Sequence, residues 1–200
     1  MINHIFLSEV LATRLSHDLI GNIGAVANAV ELLNEGDAED SEDIRNILNF
    51  SSSVLSKRLK FFRLCFGLAN ASVKDTKELE EMTSAYLSTL GNPNFPISLD
   101  LQIETRKIYK FILPAVMLMA DTIIKGGKIA VKQNDAGIHI SAISDMPLNQ
   151  TKFHNIDLIL EGKEAEENPS AYAPLYYLLE YLADGDVAIH RKDNTLIIGE

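Results

Sequence analysis

The chain has 200 residues, 46% of them apolar, which is enough for one large domain or two small ones with a real core. Its formal net charge is −10, so phosphate backbones are repelled and nucleic acid is not an expected partner. A single cysteine, Cys65, excludes an internal disulfide and a paired-cysteine zinc site.

The first segment, MINHIFLSEVLATRLSHD, lacks the basic start and continuous apolar run of a signal peptide. The longest apolar stretches, such as FILPAVMLMA at 111–120, are too short to span a bilayer. The expectation is a cytoplasmic protein without membrane contact. Residues of about 5–35 read as one long helix, with Leu11, Leu15, Leu19, Asn22, Val26, Val30 and Leu33 at helical spacing and Gly36 as its stop. A second long helix follows, from a plausible N-cap at Ser41 to about residue 68, with apolar Ile44, Ile47, Leu48, Val54, Leu55, Leu59, Phe62 and Phe66. Glu42 and Asp43 suit its first turn, and Lys57, Arg58, Lys60 and Arg63 its later turns. The short connection makes the two helices antiparallel neighbours.

After Leu68 the pattern changes. Residues 77–91 read as a helix, Ile97–Ile103 as a strand, and about 105–125 as a helix. KIAVKQ and GIHISAIS form a hairpin about Asn134–Asp135–Ala136–Gly137. Helices near 151–161 and 171–183 flank an acidic loop, and DVAIH and TLIIG close the chain as a second hairpin. The mixture predicts an α/β sandwich with a mixed sheet, with the domain boundary near residue 70.

The stretch RLSHDLIGNIGAVANAV (14–30) carries two glycines inside a helical period. With His17 at the origin of a helical wheel, Leu15, Leu19, Val26 and Leu33 fall within roughly 20° of the opposite side. Thr13, Gly21, Gly24 and Asn28 share the side of His17. Each glycine costs roughly 1 kcal/mol relative to alanine but lets another molecule's backbone approach the imidazole. Asp18 can hold one ring nitrogen protonated and leave the other as nucleophile. A lone surface histidine, with glycines that merely admit a second helix or subunit, is the bland alternative. Two helices of about 45 Å leave apolar surface uncovered as a single hairpin. Pairing into a four-helix homodimer, with His17 outside, is the usual solution.

These residues resemble the phosphoacceptor helix of the ChpT-type histidine phosphotransferases of alphaproteobacteria. The match is HDLIG at 17–21, IGA at 23–25, Asn28 and Glu31–Leu32–Leu33. In outline the resemblance extends over the whole chain. It implies an α+β protein: a helical hairpin at 1–70 forming a dimeric four-helix bundle, then a degenerate Bergerat-type α/β sandwich at 71–200. It implies that phosphoryl groups pass through His17 between receiver domains of a hybrid histidine kinase and of response regulators, with Asp18 orienting the imidazole. Thr13, Arg14, Ile20, Gly21, Gly24 and Asn28, with Ile23, would form the receiver dock. Arg14 would pair with the phosphate or an acidic receiver rim, or would equally be a solvated charge. Asn22 replaces the family's usual proline, which leaves the helix straighter past His17. Gly21 replaces the polar residue that positions hydrolytic water in bifunctional relatives, so phosphatase activity is expected to be slow.

The resemblance also predicts where a kinase-type ATP site would lie. The metal-binding asparagine positions fall at about Pro114 and Leu118, and Asp145 is followed by no glycine-rich turn. The seven glycines after residue 70 form no G-x-G-x-x-G or P-loop pattern. No ATP and no other cofactor is expected on this chain; magnesium is expected on the partner receiver. His4, His139, His154 and His190 lack metal-ligand spacing, so no metal site is expected. Asp100 with Glu104 and Asp184 with Asp186 are better explained as turns and helix ends than as catalytic pairs. Three alternatives remain from sequence: a true sensor-kinase-like ATPase, an adaptor that binds receivers or other regulators without transfer, and a plain dimeric helical scaffold.

Overall fold

A computed structural model describes residues 3–35, 41–67, 73–104, 108–183, 185 and 187–199. The apolar periodicity of the N-terminal region produces two long antiparallel helices, α1 (His4–Glu35) and α2 (Ser41–Phe66). Then come α3 (Thr76–Leu87), β1 (Ile97–Gln102), α4 (Tyr109–Ala120), β2 (Gly127–Asn134), β3 (Gly137–Ile143), α5 (Gln150–Leu160), a 3-10 turn (Pro169–Tyr172), α6 (Ala173–Tyr181), β4 (Ala188–Lys192) and β5 (Thr195–Gly199). The fold is a helical hairpin joined to a mixed five-stranded sheet in the order β1-β2-β3-β5-β4. β1 and β2 run parallel and every other pairing is antiparallel. The expected boundary near 70 and the expected stop at Gly36 lie outside the described residues, as do Asp184 and Asp186.

Local chemistry sets the element ends. Asp75 caps α3 by accepting from the Glu78 amide at 2.8 Å, and the Glu78 carboxylate accepts from the Lys74 amide at 2.6 Å. Asn149 caps α5 through the Lys152 amide at 3.0 Å. The β2–β3 turn falls where predicted, with the Asn134 side chain accepting from the Ala136 amide and Gly137 at φ 131°, a conformation that favours glycine. The expected helix over 105–125 is shorter. α4 ends at Ala120, and the chain then turns through Asp121 into Gly126 and Gly127, both at positive φ. α3 likewise ends at Leu87 rather than near 91.

One apolar core runs through both parts. Every α4 residue from Ile112 to Ala120 is buried, packed under the inward face of the sheet formed by Ile129, Val131, Ile138, Ile140, Leu196 and Ile198. Phe61 of α2 stacks on Tyr86 of α3, with ring centroids 3.8 Å apart and planes 9° from parallel. Phe6 of α1 meets Tyr176 of α6 edge-on at 5.2 Å. Lys110 of α4 donates to the Gly67 carbonyl at 2.5 Å and the Cys65 carbonyl at 3.4 Å, closing the C-terminal end of α2. The hairpin is therefore docked on the sandwich by aromatic contacts and a cap.

In the far half of α1, Val30 and Leu33 of the apolar period are exposed, as is Ile47 of α2. Beside them Ala29 is buried and Val26 half-buried, so among the described residues this half of α1 is covered on one side.

Candidate functional site

The helical phase of α1 places His17 outward, with its side chain 84% exposed. Its Nδ1 lies 3.4 Å from Asp18 Oδ1. Asp18, unlike His17, is largely covered, and its other oxygen accepts from Arg14 Nε at 2.8 Å. The Asp18 carbonyl accepts from the Arg58 guanidinium of α2, which also donates to Thr89 Oγ1 at 3.1 Å and to the Thr89 carbonyl at 3.0 Å. The backbone beneath His17 is thus tied to α2 and to the segment after α3.

Arg14 corrects its prediction. As the expected docking or solvated charge it would be exposed, yet it is only 8% exposed. Its guanidinium binds Asp121 in a two-pronged contact, Nη1 to Oδ2 at 2.7 Å and Nη2 to Oδ1 at 3.0 Å. The fork geometry of arginine suits this carboxylate pairing. Burial alone lowers the Arg14 pKa, but the charge and hydrogen bond of Asp121, with the charge of Asp18, overcome that and raise it. Lys152 of α5 lies 3.9 Å from Asp121 Oδ2, donates to the Ala171 carbonyl at 3.0 Å and sits 4.3 Å above the Tyr172 ring. Its pKa is lowered, by burial first and by the charge of Arg14, against the pull of Asp121. Two cations, Arg14 and Lys152, face two carboxylates, Asp18 and Asp121, so the cluster is neutral as charged.

These groups line a cavity of about 460 Å³ that opens beside His17, between α1 and the 3-10 turn carrying Ser170 and Ala171. Below it the Tyr86 hydroxyl is buried without a hydrogen-bond partner. Its pKa is raised, chiefly by burial and then by the charge of Asp121.

The other predicted residues fall as follows. Thr13, Gly21 and Asn28 are exposed, Ile20 is 62% exposed, Ile23 is exposed, and Gly24 is half-buried. A Cβ added at Gly21 or Gly24 meets no atom of the chain within 4 Å, so neither glycine is required by packing inside this chain. Pro114 and Leu118, the positions aligned with metal-binding asparagines, are buried within α4. His4 begins α1, 3.5 Å from Glu180. His154 lies inside α5, 3.6 Å from Glu166, and His190 inside β4 rather than at its end. Among the described residues no group of three or more His, Cys, Asp or Glu is placed to hold a metal ion. No described helix is long and apolar enough to cross a membrane. Sequence reasoning missed Asp121, Lys152, Arg58 and Tyr86. Asp121 is 107 residues from Arg14 in the chain, and no local pattern announces that pairing.

No protein-family model matches the chain. Over 128 residues it is 31% identical to the curated protein phosphotransferase ChpT of Brucella abortus (strain 2308), a match covering 63% of this chain and 60% of that protein. A solved structure described as a bacterial phosphotransferase superposes with a TM-score of 0.73 at 24% identity, over 99% of this chain and 97% of that one. The sequence thus resembles a ChpT phosphotransferase, and its fold is that of the bacterial phosphotransferase structure.

Proposed function

We propose that the chain is a histidine phosphotransferase of a multistep phosphorelay, moving a phosphoryl group between receiver-domain aspartates through His17. The observation that carries this reading is the exposed His17 imidazole, whose Nδ1 faces a carboxylate held from behind by Arg14. A carboxylate at Nδ1 favours the tautomer with the proton there and leaves the Nε2 lone pair facing solvent. Nε2 then attacks the phosphorus of an aspartyl phosphate in line. The bond from phosphorus to the aspartate oxygen breaks, and the electron pair leaves with that carboxylate. The phosphorylated ring keeps its Nδ1 proton and gains positive charge, which Asp18 stabilises. Attack by a second receiver's aspartate reverses these steps. Such transfer asks for positioning and charge stabilisation more than for covalent chemistry by the protein.

The receiver, carrying its own magnesium, seats over Thr13, Ile20, Gly21, Gly24 and Asn28. The open space at both glycines supports this docking face. Residues 1–70 act as the dimerisation and phosphotransfer unit and 71–200 as a degenerate Bergerat-type sandwich. A homodimer through a four-helix bundle is supported by exposed Val30 and Leu33 on α1 and Ile47 and Phe50 on α2. The sandwich binds no ATP, a reading supported by apolar, buried Pro114 and Leu118, and the protein works in the cytoplasm.

The test is a phosphotransfer assay with phosphorylated receiver domains from the same organism. Acid-labile, base-stable label should appear on the wild-type chain and be absent from His17→Ala. If no receiver labels the intact protein, transfer is refuted, and the adaptor that binds receivers without transfer takes its place.

A further inference from the structure

We propose, building on the phosphotransfer reading above, that Asp121 is a positioning residue for His17, acting through Arg14 and Asp18 to aim the imidazole from the sandwich side. The contacts form one continuous line: Asp121 takes both terminal nitrogens of Arg14, at 2.7 and 3.0 Å, Arg14 Nε takes Asp18 Oδ2 at 2.8 Å, and Asp18 Oδ1 faces His17 Nδ1 at 3.4 Å. The division of donors matters. With both terminal nitrogens donating to Asp121, the guanidinium meets Asp18 through Nε, and Asp18 is held by one oxygen while the other faces the ring. Without Asp121, the Arg14 fork is free to take both Asp18 oxygens, the two-pronged geometry arginine prefers, and that removes the oxygen facing Nδ1.

The anchor is well placed for this role. Asp121 is the first residue beyond α4, a helix buried along its length, so its backbone position is set by the core of the sandwich. Lys152 and the Ala171 carbonyl border the same cluster, and Arg58 holds the Asp18 backbone from α2. Four segments of the chain therefore converge on the orientation of one exposed ring. Asp121 does not approach the phosphoryl group; its effect passes through two side chains.

The experiment compares wild type, Asp121→Asn and the double variant Arg14→Met/Asp121→Leu. The double variant removes one cation and one carboxylate of the cluster together, so the Lys152 and Asp18 that remain still balance in charge. Two readouts are taken: the transfer rate to His17 at saturating phosphorylated receiver, and the ¹⁵N shifts of the His17 ring, assigned by their loss in His17→Gln. The expected result is a rate lowered about tenfold or more in both variants, with receiver affinity within about twofold of wild type. The His17 shifts should move away from the Nδ1-protonated tautomer in both. A merely structural tie predicts otherwise: the stable double variant would transfer at the wild-type rate with unchanged shifts, and that result overturns the proposal. Unchanged shifts in Asp121→Asn overturn it as well, even if the double variant does not fold. An unlabelled wild type refutes the phosphotransfer reading instead, while the ring shifts still decide whether Asp121 orients His17.

Discussion

Gly21 and Gly24 give the sharpest separation between what this chain needs for itself and what a partner needs from it. Neither has positive φ, and a Cβ at either touches nothing within 4 Å. Glycine in a helix interior costs about 1 kcal/mol relative to alanine, so Gly21→Ala with Gly24→Ala should stabilise the fold by about 2 kcal/mol. For a chain of this size, about 1 kcal/mol shifts Tm by about 2–4 °C, so the pair should melt about 4–8 °C higher. Gly24→Leu should be no less stable than wild type, because leucine is a good helix former and its side chain has room. If the receiver seats over this face, the same leucine should raise the KM for phosphorylated receiver, because it stands where the partner's backbone approaches. Thermal denaturation and transfer kinetics on the same samples read both effects. A lower Tm for the alanine pair would show that packing within the protein requires the glycines. Unchanged KM and kcat for Gly24→Leu would refute the docking face.

The Tyr86 hydroxyl is buried without a partner while its ring stacks on Phe61, so Tyr86→Phe should keep the stack and leave stability equal or higher by up to about 1 kcal/mol; a clear loss in urea denaturation would refute this. Phe61→Ala should cost about 3–5 kcal/mol, because its fully buried ring joins the hairpin to the sandwich; a near-neutral urea midpoint would show that the two parts do not share a core. Phe50, 70% exposed, and Val30 belong to the proposed dimer face, so Val30→Asp/Phe50→Asp should give monomers by sedimentation without loss of helical signal; an intact dimer would place the interface elsewhere. Burial raises the phenol pKa values of Tyr86, Tyr172, Tyr176 and Tyr177, the last to about 12. Above the ordinary tyrosine value of about 10 the unfolded chain loses protons that the folded chain keeps, so this stability is fully present below about pH 10 and is lost as pH rises toward 12. Urea midpoints should fall between about pH 10 and pH 12, with phenolate absorbance rising on unfolding; a flat midpoint would contradict the burial.

The parts legible in the sequence are those whose signal is local. α1 and α2 carry long apolar periods, and β2 with β3 alternates about a turn whose Gly137 needs positive φ. His17 was legible because a wheel separates its face from Leu15 and Leu19. α4 was harder to bound. It is apolar on every side because it is buried on every side, so no polar face marks its end, and its final residue is set by where Asp121 must meet Arg14. Arg14 illustrates the limit most clearly. A charge about 60° around the helix from an exposed histidine reads as exposed itself. It is buried because a sandwich formed from distant residues covers that side of α1, and nothing near Arg14 in the chain encodes it.

That partial cover has a further consequence for assembly. α1 has 32 residues, so it is about 48 Å long. The sandwich covers its first half, burying Val10 and Arg14, and α2 covers one side of the second half at Ala29. Val30 and Leu33 are left exposed by both. A helix this long cannot bury its whole apolar surface against one hairpin partner and one small sandwich. A second copy could cover the distal half while leaving the His17 face clear. The same geometry would keep the Asp121–Arg14 contact within one chain, so dimerisation and imidazole orientation should be separable: the Val30→Asp/Phe50→Asp monomer should retain the His17 ring shifts of the wild type even where its transfer rate falls.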